Sequence, residues 1–239
     1  MKVAITFIGT NRYLDYLPKY YENIEKYFLP NTEKVILAFT DGELNDTPDN
    51  LKVYHQEHLE WPFITLKRFE IINKARDVID ECDWLVFIDA DAIPVTTITE
   101  EEFLKDKPLF GVHHPCHYLG MDPHTKAPGA YEQNPKCEAY VDVSKSLPPV
   151  YWQGCLWGGK VPHVCAMIDE LQARVNRDLE NDIVAVWHDE TQINRYFLER
   201  TQDVHTFGPS YAFPEVFESH CNFSPKIVHL AKDNSKYHQ

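Results

Sequence analysis

The sequence predicts an α/β fold with a mixed, mostly parallel central sheet flanked by helices. Residues 2–9 (KVAITFIG) form a β-rich run, aromatic and apolar residues between 13 and 28 recur at helical spacing, and residues 34–40 (KVILAFT) predict a second strand. This strand–helix–strand order is typical of parallel sheets of the nucleotide-binding type. Residues 84–88 (WLVFI) are continuously apolar, as expected of a strand buried on both faces.

The helices have recognisable start signals. In the first helix, Asp15 is a plausible N-cap and Pro18 is tolerable because it falls in the first turn. Another helix is expected to begin at Asp189, where Asp189 and Gln192 match a capping box. The other expected elements are an extended segment at 51–54, a helix over 66–80, a mobile loop over 120–135, a helix over 162–179 with Pro162 at its first position, and a flexible tail at 232–239.

The composition excludes several classes of protein. The 239 residues are enough for one substantial core, and they carry a formal net charge of −14. This charge repels nucleic acid and anionic membrane surfaces, so no nucleic-acid partner is expected. The start MKVAITFIGT is too short for a signal peptide and no run approaches the roughly 18 apolar residues of a membrane span, which predicts a cytoplasmic protein. The six cysteines form no Cys-x-x-Cys pair and are expected to be reduced thiols.

Two aspartates one residue apart, Asp89 and Asp91, directly follow the strand predicted over 84–88. Ligands of open α/β sheets bind at the carboxyl ends of strands, and side chains two apart in an extended segment point the same way. Hard divalent ions such as Mg²⁺ and Mn²⁺ take oxygen ligands that they share with phosphate oxygens. The pair therefore predicts a metal that neutralises a diphosphate leaving group, although Asp-x-Asp also occurs by chance in solvated loops and helix caps.

A second acidic cluster, Trp187-His188-Asp189-Glu190, comes just before a predicted helix. A helix N-terminus favours carboxylates and can present them to a ligand. Glu190 is therefore a candidate catalytic carboxylate. The alternative is structural, with Asp189 serving only as an N-cap and Glu190 as an ordinary acid of the first turn.

Histidine and glycine motifs add further candidates. His113 and His114 are adjacent, and because neighbours in a strand face opposite ways, we expect one to reach a site and the other to face the surface or the core. The glycines Gly154, Gly158 and Gly159 predict a close approach of backbones, but the lysine and serine or threonine that end a phosphate-binding P-loop are missing.

The order of these motifs resembles glycosyltransferase family 6, the family of the ABO blood-group transferases and the α1,3-galactosyltransferases, which includes short bacterial members. The resemblance covers about residues 3 to 236 and depends most on the block AVWHDE at 185–190 and its spacing from DAD at 89–91. The other matching stretches are Tyr13, EKYF at 25–28, FTD at 39–41, KRFE at 67–70, DWLV at 83–86, LFG at 109–111, HP at 114–115, YE at 131–132, GG at 158–159 and Asn194-x-Tyr196.

The resemblance implies a GT-A fold in one catalytic domain over 1–239, with a nucleotide-binding half at about 1–95 and an acceptor-binding half at about 96–231. It implies that Phe7, Ile8 and Tyr13 hold the uridine base of a UDP-sugar. Lys232 or Lys236 matches a tail lysine that contacts the diphosphate, and the alignment does not decide between the two.

The resemblance also assigns the residues around the donor sugar. Asp89 and Asp91 match the pair that binds Mn²⁺, and Arg68 matches an arginine beside the sugar. Asp189 matches the carboxylate that holds sugar hydroxyls, and Glu190 matches the essential carboxylate near the anomeric carbon. Family members retain the anomeric configuration, which implies an α1,3-linked product and leaves open a covalent intermediate or front-face attack.

On the acceptor side, His114 and Trp187 match residues that contact the acceptor sugar, and His188 lies in the same block. The implied acceptor is a galactose-terminated oligosaccharide or glycolipid. The donor-selecting block reads Gln153-Gly154-Cys155. Within the family a small residue at the place of Cys155 admits the N-acetyl group of UDP-GalNAc, and because cysteine is larger than alanine, UDP-Gal is the expected donor.

Many bacterial relatives carry Asn-x-Asn and work without metal, whereas this chain keeps both aspartates, which predicts Mn²⁺ as cofactor, with Mg²⁺ as the alternative. Two rival functions stay open. One is a metal-dependent sugar-nucleotide hydrolase with the ligands Asp89, Asp91 and His188. The other is a non-catalytic glycan-binding module that stacks sugars on Trp152, Trp157 and Trp187.

Overall fold

The structure, a computed structural model, describes residues 1–119, 130–144, 148–216 and 223–232. In these ranges the strands are β1 (Lys2–Ile8), β2 (Glu33–Thr40), β3 (Leu51–His55), β4 (Trp84–Ile88), β5 (Ala92–Pro94), β6 (Leu109–His113), β7 (Trp152–Lys160), β8 (Val204–Phe207), β9 (Phe213–Pro214) and β10 (Ile227–His229). The α-helices are α1 (Leu17–Tyr27), α2 (Phe63–Leu66), α3 (Arg68–Asn73), α4 (Arg76–Ile79), α5 (Glu100–Phe103), α6 (Pro115–Leu119), α7 (Val161–Glu180) and α8 (His188–Glu199).

Across the described ranges, seven strands form one sheet in the order β3-β2-β1-β4-β7-β6-β8. Strand β7 runs antiparallel to its neighbours β4 and β6, whereas the other pairs in this sheet are parallel. The predicted mixed, mostly parallel sheet is thereby confirmed. Strands from the first and second halves of the chain share this sheet, because β4 pairs directly with β7.

Alternation along the strands divides the core into two layers. In β2, Leu37 and Phe39 pack into one cluster with α3, α7 and α8, while Ile36 and Ala38 pack into the other with α1 and α5. Successive side chains of a strand point to opposite faces, so a strand covered on both sides must be apolar at every position. This is the reason why WLVFI in β4 is buried throughout.

The first helix departs from its predicted start. Residues Asn11–Tyr16 form a 3₁₀ helix, and α1 follows with Tyr16 as its N-cap, so the assignment of Asp15 as N-cap is wrong. Pro18 lies in the first turn of α1, as expected. Helix α7 begins at Val161, so Pro162 is in its first turn but one residue beyond the first position.

The single helix predicted over 66–80 is wrong, because this stretch contains the short helices α2, α3 and α4. The backbone leaves helical geometry at Lys67 (φ −92°, ψ 11°) and at Ala75 (φ −106°, ψ 21°). The stretch contains good helix formers such as Lys67, Glu70 and Ala75, so packing rather than helix propensity decides its path. The interruption at Lys67 directs the side chains of Arg68 and Phe69 toward the protein interior, where both are buried.

Some predictions concern residues that the structure does not describe. The mobile loop predicted over 120–135 and the tail predicted over 232–239 fall mostly outside the described ranges, and so does Lys236. The described cysteines are free thiols, and Cys221 is outside those ranges. Within the described part of the chain, we find no helix with the length and apolar character needed to cross a bilayer.

A second, smaller sheet of the described residues has the order β5-β10-β9. Strand β5 begins directly after Asp91, and β10 lies between it and β9, antiparallel to the former and parallel to the latter. This pairing brings the C-terminal segment of the described chain back to the acidic turn that ends β4.

Gly158 should be indispensable for the stability of the main sheet. A Cβ atom at this position would lie 2.2 Å from the Leu85 carbonyl oxygen and 2.7 Å from the Phe110 ring, and a backbone atom between paired strands cannot give way. We expect Gly158→Ala to lower the free energy of unfolding, measured in urea, by about 3 kcal/mol.

Gly208→Ala is the matched control, because no atom of the described residues lies within 4 Å of the added Cβ and the local backbone is extended rather than left-handed. This variant should remain within about 1 kcal/mol of the parent. Equal stability of the two variants would contradict the close packing of β7 against β4.

Candidate active site

One edge of the main sheet gathers residues that are distant in sequence. Strands β1 and β4 are parallel and end at the same edge, and β7 begins there because it is antiparallel to β4. The backbone N–H of Asp89 donates to the carbonyl of Cys155 at 3.0 Å, which ties the acidic turn to the start of β7. The sheet topology therefore places Ile8, Asp89 and Cys155 side by side.

Arg68 lies at the centre of this edge, and its side chain is 9% exposed. The Nη1 atom is 2.9 Å from Asp189 Oδ2 and 3.4 Å from Asp89 Oδ1, and it donates to the Gly154 carbonyl at 2.9 Å. The guanidinium also lies over the Phe87 ring, 4.4 Å from its centroid. One cation thus links the acidic turn, β7 and the first turn of α8.

The assignment of Asp189 as a helix cap is wrong. Helix α8 begins one residue earlier, its N-cap is Trp187, and no side chain caps it. Gln192, the other half of the expected capping box, instead donates to Asp178 at 2.7 Å. Burial raises the pKa of Asp189 to about 7 in spite of the nearby Arg68, so the cation is needed to keep this carboxylate charged inside the protein.

Glu190 is held by the backbone of β7. Its Oε2 atom accepts a hydrogen bond from the Gly154 N–H at 2.8 Å. Burial raises the pKa of Glu190 to about 7, although this hydrogen bond acts in the opposite direction. A Cβ atom at Gly154 would lie 3.1 Å from Glu190 Cβ and 3.2 Å from Asp189 Oδ2, so glycine allows the close approach expected from the sequence.

Asn194 fixes α8 against β7 one turn after Glu190. Its Oδ1 atom accepts from the Trp152 N–H at 2.8 Å, and its Nδ2 donates to the carbonyls of Trp152 at 2.7 Å and Glu190 at 2.9 Å. Asn194 is 1% exposed, so these bonds are shielded from water. The catalytic candidate is therefore carried on a helix whose position relative to β7 is set by a buried amide.

Asp91 is surrounded by groups from the C-terminal segment. Its Oδ2 atom is 2.5 Å from Lys232 Nζ, which also donates to the Tyr13 hydroxyl at 2.8 Å, and its Oδ1 is 3.9 Å from His229 Nδ1. Burial acts to raise the pKa of Asp91, but His229 and Lys232 outweigh it and lower the pKa. Ligand atoms of Asp89, Asp91 and His229 all lie within 4.8 Å of one another.

Two cavities adjoin at this edge and share Trp61, Thr65, Arg68 and Asp89. The first has a volume of about 190 Å³ and is also lined by residues of the β1 end, the acidic turn and Lys232. The second, of about 170 Å³, is also lined by Gln153, Gly154, Cys155, Trp187, His188, Asp189 and Glu190. Ile8 and Tyr13 line the first cavity, so the predicted base-binding and sugar-binding residues separate into neighbouring compartments.

Other predicted residues lie elsewhere. The Phe7 side chain is fully buried and packs edge-on against Tyr20, with ring centroids 5.1 Å apart, so it does not line the first cavity. His114 does not line either cavity, and its backbone N–H donates to the Tyr151 carbonyl at 2.8 Å. Their roles toward base and acceptor stay predictions.

The geometry weakens both rival functions. Trp152 and Trp157 are 3% and 0% exposed, so these two rings cannot stack on a sugar, whereas Trp187 is 42% exposed at the second cavity. The histidine grouped with the acidic pair in the described residues is His229, and His188 packs instead against Trp61, with ring centroids 4.8 Å apart.

Sequence reasoning missed two residues at this edge. Trp61 lines both cavities, but it stands in a stretch without periodicity and follows no strand end. His229 reaches the acidic turn only through the pairing of β10 with β5, and no local pattern encodes that register. A search for short apolar runs near the C-terminus could have identified β10, although not its partner.

A sequence profile of Glycosyltransferase family 6 matches residues 1–237. The O-antigen biosynthesis glycosyltransferase WbnI of Escherichia coli is 26% identical over 240 residues, covering 100% of this chain and 98% of its own length. Histo-blood group ABO system transferase 2 of Rattus norvegicus is 26% identical over 96% of this chain and 68% of its own. Globoside alpha-1,3-N-acetylgalactosaminyltransferase 1 of Mus musculus is 25% identical over 83% of this chain, which spans 57% of that relative.

The ionisation of Glu190 should make the metal-free protein less stable as the pH rises. With a pKa of about 7 in the fold against an ordinary 4.5, the folded state binds more protons between these values, so the free energy of unfolding falls as the pH rises through this window. The full effect is about 3 kcal/mol. Glu190→Gln keeps an acceptor for the Gly154 N–H and cannot ionise, so it should be more stable than the parent at pH 8.

Urea unfolding in EDTA at pH 5 and pH 8 measures this effect. Between pH 5 and pH 8, the difference in the free energy of unfolding between Glu190→Gln and the parent should grow by most of this amount, which is about 3 kcal/mol. Glu180→Gln, at an exposed position of α7, is the control and should follow the parent at both pH values. A gap that does not change with pH would contradict the burial of an ionisable Glu190.

Proposed function

The chain belongs to glycosyltransferase family 6 and is a hexosyltransferase, and on this premise we propose that it transfers galactose from UDP-galactose to a galactose-terminated oligosaccharide or glycolipid. The proposed product is α1,3-linked with retention of the anomeric configuration, and the reaction depends on a divalent cation, Mn²⁺ or Mg²⁺. The observation that carries the proposal is the junction of the two cavities at Arg68 and Asp89.

The first cavity suits the nucleotide part of the donor. Ile8 and Tyr13 provide an apolar and an aromatic surface for a base, and Lys232 lines the same cavity beside the acidic turn. A diphosphate carries concentrated negative charge, which a lysine ammonium stabilises as the nucleotide departs. These residues would bind UDP with its diphosphate directed toward Asp89 and Asp91.

The acidic turn fits a hard divalent cation. Carboxylate oxygens are the ligands that Mn²⁺ and Mg²⁺ prefer. Asp91 is already bonded to Lys232 through Oδ2, and its Oδ1 atom is the oxygen that could serve such a cation. A cation held by Asp89 and Asp91 would supply charge neutralisation to the departing diphosphate. Metal dependence is part of this proposal because the chain offers two carboxylates at the end of β4.

The second cavity suits the donor sugar and the acceptor. Asp189, oriented by Arg68, can accept hydrogen bonds from sugar hydroxyls, and Glu190 lies next to it with one oxygen held by Gly154. As the sugar loses UDP its anomeric carbon becomes positive, and a carboxylate held nearby stabilises that charge or attacks the carbon. The exposed ring of Trp187 offers an apolar face to the acceptor sugar.

Acceptor-dependent release of UDP tests the proposed function. UDP-Gal and UDP-GalNAc are each incubated with a panel of galactosides, with Mn²⁺ and with EDTA, and UDP release and product linkage are measured. We expect release to rise with a galactose-terminated acceptor, to stop in EDTA, and to fall about a hundredfold or more in Glu190→Gln, which keeps the shape of the site but removes the charge.

The outcomes separate the alternatives. UDP release that no acceptor increases would point to a hydrolase, and binding of glycans without turnover would point to a lectin-like module. A β-linked product would contradict retention, and full activity in EDTA would contradict the metal. Glu180→Gln serves again as the surface control and should retain parental activity.

Donor choice should depend on the size of the residue at Cys155. This side chain is 3% exposed and lines the second cavity, so its removal enlarges the space for a sugar substituent. We expect Cys155→Gly to raise the ratio of kcat/KM for UDP-GalNAc to that for UDP-Gal by about tenfold, with Cys155→Ala intermediate. Cys165→Ala, a buried thiol away from both cavities, is the control.

The comparison needs only the two donors and one active acceptor. A ratio that is the same in Cys155→Gly, Cys155→Ala and the parent would remove Cys155 from donor selection. It would leave the assignment of the cavity to the donor sugar dependent on Asp189 and Glu190.

A further inference from the structure

His229 is brought to the acidic turn by backbone pairing rather than by a motif. In the antiparallel pair of β10 and β5, His229 lies opposite Ala92, the residue that follows Asp91. The N–H of Leu230 donates to the Asp91 carbonyl at 2.9 Å, which fixes the register at this point. The imidazole is therefore held beside the carboxylates by the main chain on both sides.

The imidazole of His229 has an unused coordination capacity. Its Nδ1 atom lies 3.9 Å from Asp91 Oδ1, which is beyond hydrogen-bond distance, and its Nε2 is buried without a partner among the described residues. A buried polar atom is normally hydrogen-bonded, so the buried Nε2 needs an explanation. One ring nitrogen of His229 is also close enough to both carboxylates to share a cation with them. Although the side chain is 17% exposed, its Nε2 atom has almost no contact with solvent, so bulk water does not replace the missing partner.

The separation of the donor atoms matches a shared cation. Ligands at about 2.1 Å from one ion lie roughly 3 Å apart when adjacent and roughly 4.2 Å apart when opposite. The His229–Asp91 distance of 3.9 Å falls between these values, and the three ligand atoms lie within 4.8 Å of one another. The limit of 4.8 Å exceeds the separation of opposite ligands, so binding of one ion requires the three side chains to draw closer together.

The charged neighbours leave the relevant atoms accessible. Lys232 bonds to Oδ2 of Asp91, whereas Oδ1 is the oxygen that faces His229. Arg68 approaches only Oδ1 of Asp89, at 3.4 Å, and this leaves Oδ2. Among the residues that the structure describes, each aspartate therefore keeps one oxygen that no lysine or arginine contacts.

We propose that His229 is the third protein ligand of the divalent cation, with Asp89 and Asp91. The inference rests on the proposed function only in requiring a cation at this turn. A neutral imidazole nitrogen is a softer ligand than a carboxylate oxygen and follows the general affinity order of transition metals. His229 thus strengthens the preference for Mn²⁺ over Mg²⁺ beyond that of two aspartates alone.

Binding of Mn²⁺ to the complete chain tests the ligand directly. The Mn²⁺ dissociation constant is measured by the loss of the free-ion EPR signal, with and without UDP, for the parent, His229→Ala, Asp91→Asn and His163→Ala. We expect affinity to fall about tenfold or more in His229→Ala and in Asp91→Asn, and to stay parental in His163→Ala, which changes an exposed histidine of α7.

Pulsed EPR of bound Mn²⁺ shows whether an imidazole nitrogen coordinates the ion. The parent should show a hyperfine coupling to one imidazole ¹⁴N that disappears in His229→Ala, while His163→Ala retains it. The ratio of Mg²⁺ to Mn²⁺ dissociation constants should also fall toward one in His229→Ala. No nitrogen coupling in the parent, or a coupling that persists in His229→Ala, would overturn the assignment.

The outcome of the EPR experiments can be interpreted independently of the transferase assay. Metal-dependent transfer by a parent that shows no nitrogen coupling would refute the His229 ligand and leave the proposed function intact. Nitrogen-coupled Mn²⁺ in a chain that transfers no sugar to any acceptor would support the ligand and refute the proposed function. Circular dichroism of His229→Ala confirms that it is folded before its affinity is compared.

Discussion

The buried guanidinium of Arg68 is the interaction on which the candidate site depends. It contacts Asp89 at the end of β4, Asp189 in the first turn of α8 and the carbonyl of Gly154 in β7. Removing one partner of a buried ion pair costs about 3–5 kcal/mol, because the other charge is left without compensation. Each of the three elements therefore holds the other two in place, and the position of Glu190 follows from theirs.

The same arrangement explains how an acidic protein could take the anionic donor proposed for it. Asp89, Asp91, Asp189 and Glu190 are offset within the described site chiefly by Arg68 and Lys232, so carboxylates outnumber permanent cations. The pKa values of Asp189 and Glu190 are both raised to about 7, mainly by burial, and the neighbouring carboxylate Asp89 adds to both shifts. A divalent cation corrects the imbalance and at the same time supplies a partner for diphosphate oxygens. In the proposed function, the requirement for metal and the use of a nucleotide sugar are two aspects of one charge distribution.

Features with a local physical cause were predictable from the sequence, and features with a tertiary cause were not. The strands β1, β2 and β4 were evident because a strand buried on both faces must be apolar throughout, and the acidic turn was evident because it ends such a strand. The helix expected over 66–80 is interrupted at Lys67, because the burial of Arg68 and Phe69 outweighs the helix propensity of this stretch. Asp189 matched a capping box, yet its carboxylate turns to Arg68, a partner that local spacing cannot reveal. His229 depends on a strand register between segments that are distant in sequence.

The C-terminal segment shows how a weak element can be held at a site. Strands β9 and β10 have two and three residues, and such short pairings contribute few hydrogen bonds. The additional stabilisation comes from Asp91, which accepts from Leu230 N–H through its carbonyl and from Lys232 through its carboxylate. The dependence is mutual, because a carboxylate as buried as Asp91 requires positive groups, and in the part of the chain that the structure describes this segment brings them. With a divalent cation on Oδ1 as well, Asp91 would remain compensated when Lys232 turns toward a diphosphate, so a lysine that stabilises the free site can also serve the leaving group.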